Sequence, residues 1–249
     1  MKVLFTVCGR AGSKGIKNKN ISTFLGNPIP YYTISALDLF LKRTSIPIEW
    51  DAVVSSDSEA LVEMLVNNPK IKMQSIARDA SLSGDAVGKI DVINNCREIM
   101  EERNGYTYDV VVDLDITSPL RTANDIERVI KTHIETGADV TTTVAPARRN
   151  PYFNQVKRGE HGFEKVIASN FTARQQAPEI FDMNASIYAY SPAFLKSNKG
   201  LFSGYVECIE MFDTGILDLD HKGDFELMEV IAKFLFETKP EFGEIVENI

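Results

Sequence analysis

Apolar runs rich in valine and isoleucine alternate along this chain with longer segments of helical period, and no other feature restricts the fold as much. Strands buried on both faces read as near-continuous Val/Ile runs, and parallel pairing needs a crossover helix between them, so the pattern predicts β-α units in a doubly wound, mainly parallel α/β sheet. The expected strands are Lys2 to Val7, Asp51 to Ser55, Lys72 to Ile76, Tyr108 to Leu114, Asp139 to Val144 and Ala185 to Tyr190. Helices are expected from Pro30 to Leu41, Asp57 to Asn67, Asp85 to Glu102, Thr122 to Thr136 and Asp224 to Glu237. In the third, Val87, Ile90, Ile93 and Met100 fall at helical spacing on one face. The segment from Ala145 to Phe181, with its Ala-Pro-Ala-Arg-Arg-Asn-Pro run and scattered aromatics, breaks the rhythm and reads as an insertion (145–181) into one domain covering 1–249.

A chain of 249 residues can bury a core large enough to need neither disulfides nor a structural metal. Cys8, Cys96 and Cys208 are widely spaced without a C-x-x-C pair, which fits a reducing compartment. The opening apolar run is too short for a signal peptide and no stretch approaches a membrane span, so a cytoplasmic enzyme is the expectation. The formal charge of -8 argues against broad nucleic-acid binding.

Against that acidic background, the first 37 residues contain no carboxylate side chain, and Arg10, Lys14, Lys17 and Lys19 surround the glycines of Cys8-Gly-Arg-Ala-Gly-Ser-Lys-Gly-Ile-Lys-Asn-Lys-Asn20. Glycines after a strand let backbone N–H groups approach an anion closely. A fixed cation a few ångströms from a phosphate oxygen gains about 4 kcal/mol at an effective dielectric near 20, before desolvation. Several together can hold a triphosphate. The spacing is neither the dinucleotide fingerprint nor the P-loop. In an open α/β sheet, ligands bind beyond the carboxyl ends of the strands. Ser55-Ser-Asp57 and Asp113-Leu-Asp-Ile-Thr-Ser-Pro-Leu-Arg121 follow strands there. Of these, Asp57 is expected to cap the following helix, and Thr117 and Ser118 fit a turn before Pro119.

Near the end, Asp218 and Asp220 stand two residues apart, so in extended chain both face one side. A divalent cation relieves their repulsion, and magnesium typically takes one or two carboxylates plus phosphate oxygens and waters. Asp224 is expected to cap the last helix. His221, His133 and His161 form no cluster in sequence, which argues against zinc.

Taken in order, Arg10-Ala-Gly-Ser-Lys-Gly-Ile-Lys-Asn-Lys-Asn20, Thr117-Ser-Pro-Leu-Arg121, Asn184-Ala-Ser-Ile-Tyr188 and Asp218-Leu-Asp220 resemble the acylneuraminate cytidylyltransferases, the CMP-sialic acid synthetases, over nearly the whole chain. Val53-Val-Ser-Ser-Asp-Ser58, Arg78 with Leu82 and Asp85, and Arg174-Gln175 with Pro178 are similar too. The resemblance implies a Rossmann-like nucleotidyltransferase fold and transfer of CMP from CTP to the anomeric hydroxyl of a nine-carbon 2-keto sugar acid, with release of pyrophosphate. It implies a magnesium-dependent homodimer, with the insertion as the dimerisation arm that reaches the partner's sugar site. By the same carry-over Arg10, Gly12, Ser13, Lys19, Asn20 and Arg78 belong to the nucleotide site, Asp218 and Asp220 hold magnesium, and Asp220, Lys19 and Arg10 take part in catalysis. Asp115, Thr117, Ser118 and Asn184 fall at the sugar site, and Arg148, Arg149 and Arg174 become candidates for the sugar carboxylate.

One position departs from the pattern. Many sialic acid members carry glutamine where this chain has Asp115. An acid only accepts hydrogen bonds whereas an amide also donates, so different substituents should be read there. Together with Ala147-Arg-Arg-Asn-Pro-Tyr-Phe153, the change makes the chain more similar to bacterial enzymes for legionaminic acid. The alternatives kept open are an N-acetylneuraminate or 3-deoxy-manno-octulosonate enzyme and, in another class, a nucleotide-binding regulatory protein without turnover.

Overall fold

The computed structural model describes residues 1–12, 16, 18–84, 87–214, 219 and 221–249. In chain order the elements are β1 (Lys2–Cys8), β2 (Thr23–Phe24), β3 (Asn27–Pro28), α1 (Ile29–Arg43), β4 (Glu49–Ser56), α2 (Glu59–Val66), β5 (Met73–Ala77) and α3 (Lys89–Asn104). There follow β6 (Val110–Leu114), α4 (Ala123–Thr136), β7 (Val140–Pro146), β8 (Val156–Gly159), β9 (Gly162–Lys165), β10 (Phe181–Tyr190), α5 (Pro192–Lys196), β11 (Val206–Glu210), α6 (Lys222–Thr238) and α7 (Pro240–Glu247).

Seven strands form the main sheet in the order β11-β7-β10-β6-β1-β4-β5. β1 pairs in parallel with β4 and β6, β4 with β5, and β7 with β11, whereas β10 runs antiparallel to both β6 and β7. The sheet is therefore mainly parallel, with one reversed strand. Along β1 the period-two alternation sends Val3, Phe5 and Val7 into the core beneath α1, α2, α4, α6 and α7, while Leu4 and Cys8 face α3 and α5. Val110, Val112 and Leu114 of β6 follow the first set and Val111 the second. Thr6 and Asp113, with the parity of Leu4 and Val111, meet at 2.8 Å through Thr6 Oγ1 donating to Asp113 Oδ1. Polar chemistry thus enters the α3 face at the carboxyl end of the sheet.

Several expected boundaries move. α3 starts at Lys89 rather than Asp85, after Gly88 in extended conformation, and β6 starts at Val110 rather than Tyr108. α2 is capped by Ser58, whose Oγ accepts from Leu61 N at 3.3 Å, not by Asp57. Asp57 instead accepts from the backbone N–H of Ala11 at 2.6 Å and ties down the glycine-rich loop. A side chain committed across the cleft mouth cannot also cap its own helix. Asp224 does close the first turn of α6, accepting from His221 N at 2.8 Å.

Between β7 and β10 the chain leaves the sheet. β8 and β9 pair only with each other, and Val156 and Phe163 on this hairpin are exposed.

Candidate active site

The first strand ends on a glycine for a steric reason. A Cβ at Gly9 would lie 2.7 Å from Leu61 Cδ2 and 2.8 Å from Ile116 Cδ1, so any larger residue must push aside the ends of these two buried side chains. Gly9 N donates to Ser55 O at 3.1 Å, holding the loop against β4. Beyond it, Asn20 Nδ2 donates to Arg10 O at 3.0 Å and Asp57 holds Ala11. Lys19 follows Asn18, which takes a left-handed backbone conformation at φ 56°, and its Nζ donates to Leu219 O at 2.7 Å.

These ties frame a cleft of about 270 Å³ beyond the carboxyl ends of β1, β5 and β6. Arg10, Lys19, Asn20 and Arg78 line it, together with Asp115 and Thr117. Arg78 is anchored by donation from Nη2 to Ser55 O at 3.3 Å. The larger hollow, about 470 Å³ along α2 and β5, carries Asp57, Glu59 and Glu63 against Arg78 alone, so its charge suits a polyphosphate poorly. The first cleft has the sign an anion needs.

Opposite the cations lies a group that sequence reasoning missed. Lys89 Nζ sits 2.7 Å from Asp113 Oδ2 and 2.6 Å from Asp115 Oδ2 and also lines the cleft. Burial disfavours the ammonium, but Asp113 and Asp115 outweigh it and hold Lys89 charged, well above its ordinary value. For Asp115, burial alone would raise the carboxyl. Lys89 and the hydrogen bonds from Thr117 N and Oγ1, both 2.7 Å, overcome that and hold it well below the usual carboxylate range. Asp115 itself only accepts, as expected of a carboxylate, but the structure sets a donor, Lys89, beside it.

Arg121 is fully buried under this loop and donates from Nη2 to the carbonyls of Asp115 and Ser118, the latter at 2.9 Å. Burial pushes its pKa down to about 10, against the pull of Asp115, Asp113 and Asp125. Its role is to hold the Thr117-Ser118-Pro119 turn in place. Cys8 also borders the cleft. Its contact with Cys96, and then burial, push the thiol well up, so it stands protonated as a packing group.

The remaining sequence candidates lie elsewhere. Gly12 is at the loop but not in the cleft lining, and Ser13, Asp218 and Asp220 fall outside the described residues. Ser118 and Asn184 border a separate small hollow of about 20 Å³. Asn184 Oδ1 accepts from Thr143 Oγ1 at 2.6 Å and Ser186 N at 3.3 Å, at the register shift in β10 where Ala185 has φ 51°. It stabilises a bulge. Arg148 is ion-paired to Asp213 at 2.9 Å, Arg149 donates to Arg148 O at 3.2 Å, and Arg174 lines a third hollow of about 220 Å³ at the base of the insertion. Within this chain the three arginines do not enter the cleft. Among the described residues no cluster of three or more metal-binding side chains forms, and no helix is long and apolar enough to cross a membrane.

An open, mainly parallel α/β sheet with a cationic cleft at its carboxyl edge defines a nucleotide-binding enzyme fold. The chain belongs to the cytidylyltransferase family, whose family model matches residues 5–195. It is 32% identical over 232 residues to post-translational flagellin modification protein B of Campylobacter coli, covering 93% of this chain and 95% of that one. It is 30% identical over 230 residues to the CMP-N,N'-diacetyllegionaminic acid synthase of Campylobacter jejuni, covering 92% and 94%. A solved structure of CMP:2-keto-3-deoxy-manno-octonic acid synthetase complexed with CTP superposes with a TM-score of 0.64 at 15% identity, over 95% of this chain and 100% of that one, and establishes the shared fold.

Proposed function

We propose that the protein transfers CMP from CTP to the anomeric hydroxyl of a sialic-acid-like nonulosonic acid, with legionaminic acid as the preferred substrate, and releases pyrophosphate. The observation that carries this reading is the meeting of Arg10, Lys19 and Arg78 with Asp115 and Thr117 in one cleft. One side suits a triphosphate and the other a polyhydroxylated sugar. The relative named as a legionaminic acid synthase, similar over nearly its full length, favours that sugar.

In the reaction the sugar hydroxyl oxygen forms a bond to the α-phosphorus as the bond to the pyrophosphate oxygen breaks, and the hydroxyl proton passes to solvent. Negative charge moves onto the leaving oxygens. Arg10 and Lys19 stabilise it from fixed positions, Lys19 held by Leu219 and Arg10 by Asn20 at its carbonyl. Asp113 and Asp115, neutralised in part by Lys89, keep the sugar side of the cleft from drawing in phosphate.

Asp218 and Asp220 are the proposed magnesium ligands. The donor set fits the ion, and Leu219 between them is buried and bonded to Lys19, which tethers this segment to the basic loop. Magnesium bound there would neutralise triphosphate charge and make pyrophosphate a better leaving group. We further propose a homodimer in which the insertion, with its exposed β8–β9 hairpin, contacts a second copy and carries Arg148, Arg149 and Arg174 toward that copy's sugar.

The test is pyrophosphate release from CTP, ATP, GTP or UTP with magnesium and legionaminic acid, in the intact protein and in Asp220→Asn. Release with CTP alone, reduced by orders of magnitude in the variant, is expected. Equal release from all four nucleotides removes the cytidylyl assignment, and near-normal turnover of Asp220→Asn at saturating magnesium removes that residue from the mechanism.

A further inference from the structure

Lys89 bridges two carboxylates and still faces the cleft, which leaves a definite hydrogen-bonding remainder. An ammonium has three N–H groups. One is directed to Asp115 Oδ2 at 2.6 Å, and the ammonium is ion-paired with Asp113 Oδ2 at 2.7 Å without a hydrogen bond to it. Asp113 is fully buried, and its other oxygen accepts from Thr6 Oγ1. Oδ1 of Asp115 accepts from both the N–H and the hydroxyl of Thr117. Among the described residues, then, at least one N–H of Lys89 and one acceptor site on Asp115 Oδ2 remain, on atoms 2.6 Å apart in the cleft wall.

The backbone around this pair leaves it little freedom. Asp115 N donates to Ser186 O at 3.1 Å, while Asp115 O accepts from Thr33 Oγ1 at 3.2 Å and from Arg121. Such a site discriminates by chemistry. A phosphate or carboxylate oxygen can only accept and would meet Asp115 and Asp113 at close range. An ammonium can only donate and would meet Lys89. A hydroxyl accepts and donates at one oxygen, and so satisfies both members of the pair at once.

We propose that Lys89 and Asp115 form a single specificity-determining unit that clasps one sugar hydroxyl, of the nonulosonic acid or of the ribose of CTP, with Lys89 donating to its oxygen and Asp115 accepting its hydrogen. The inference rests on the cytidylyltransferase reading of the cleft. It makes Lys89 a substrate-contacting residue and replaces the picture of Asp115 as a lone acceptor. It also means that the pair supplies both donor and acceptor, as a primary amide does.

The experiment is a residue-by-hydroxyl coupling measurement. kcat/KM is determined for CTP against 2'-deoxy-CTP and 3'-deoxy-CTP, and for the accepted sugar acid against its singly deoxygenated analogues, in the intact enzyme and in Lys89→Met. Removing the clasped hydroxyl should cost the intact enzyme about 10- to 100-fold, as for a hydrogen bond to charged groups. In Lys89→Met the same deletion should cost less than about 3-fold. A coupled sugar-acid hydroxyl assigns the clasp to the sugar and a coupled ribose hydroxyl to the nucleotide. Because Lys89→Met strips buried Asp113 of its counter-charge, Lys89→Met with Asp113→Asn is measured alongside and should give the same ratios. If every deletion costs the same with and without Lys89, the clasp is wrong. Turnover of no sugar acid by the intact enzyme would instead overturn the functional reading, and calorimetric binding of CTP and its deoxy forms still reads the ribose arm in that case.

Discussion

Lys19 joins two stretches 200 residues apart in sequence, its bond to Leu219 O linking the basic loop to the segment of the two aspartates. Lys19→Ala should therefore weaken CTP binding by about 10- to 100-fold, the range for losing a charge-assisted bond, while titration of the sugar acid alone gives an unchanged affinity. Unchanged CTP affinity and kinetics would remove Lys19 from the site. Gly9→Ala tests the packing of the loop. Its new Cβ meets Leu61 and Ile116 below 3 Å, an overpacking that typically costs about 1–3 kcal/mol, read as a lowered unfolding midpoint. A midpoint equal to that of the parent would show that the loop can shift at no cost. Arg10 and Lys19 were legible in the sequence because charge without compensation around glycines has few other uses, whereas Asn20 and Arg78 were expected only from the family resemblance. Lys89 was not legible, because its carboxylate partners come from β6 and the residue after it, and only the fold brings them to the start of α3.

At the scale of elements, α4 shows how buried polar groups carry pH sensitivity. Its N-terminus is closed by a capping box in which Thr122 and Asp125 exchange bonds, Asp125 Oδ2 accepting from Thr122 N at 2.9 Å and Thr122 Oγ1 from Asp125 N at 3.2 Å. In its last turn His133 is buried against Thr141 Oγ1 at 3.0 Å, and burial lowers its pKa to about 4, with Asp139 opposing. The folded state thus binds a proton less readily than the unfolded one. Stability is complete above the unfolded value of 6.5 and falls as pH drops toward 4, by roughly 3 kcal/mol from this group alone. His133→Gln should flatten the dependence of the melting temperature on pH between those values, and an identical slope in the variant would contradict the assignment. Six strands and five helices were readable from periodicity, but β11, at Val206–Glu210, was not. Its glutamates interrupt the apolar run at the sheet edge. α7 escaped because Pro240 follows α6 so closely that the pattern looks finished. The reversal of β10 left no mark either, since strand direction depends on where the chain re-enters the sheet after the insertion.

For the whole molecule, the sheet order sets the site. β6, β1, β4 and β5 are neighbours in that order, and the chain after β1, β5 and β6 converges where the cleft forms. That convergence was foreseeable from the parallel pattern, as was the placement of chemistry at the carboxyl edge. The positions of Arg148, Arg149 and Arg174 were not, because the insertion keeps them away from this chain's own cleft. The proposed dimer answers that separation and is tested by Phe163→Ser on the hairpin, where Phe163 is 68% exposed. Light scattering should report a dimer for the parent and a lower mass for the variant. A parent that is monomeric at working concentration, or a variant dimer of unchanged stability, would remove the hairpin from the interface.

The central claim is the reaction itself, and the most direct measurement is product identity. The purified protein is incubated with magnesium, CTP and, in parallel, legionaminic acid, N-acetylneuraminic acid, pseudaminic acid or 3-deoxy-manno-octulosonate, and the products are identified by mass. The account predicts a CMP conjugate of legionaminic acid formed with one equivalent of pyrophosphate and made faster than any other. Conversion of the octulosonate alone, or CTP binding with no conjugate from any of the four acids, would contradict it.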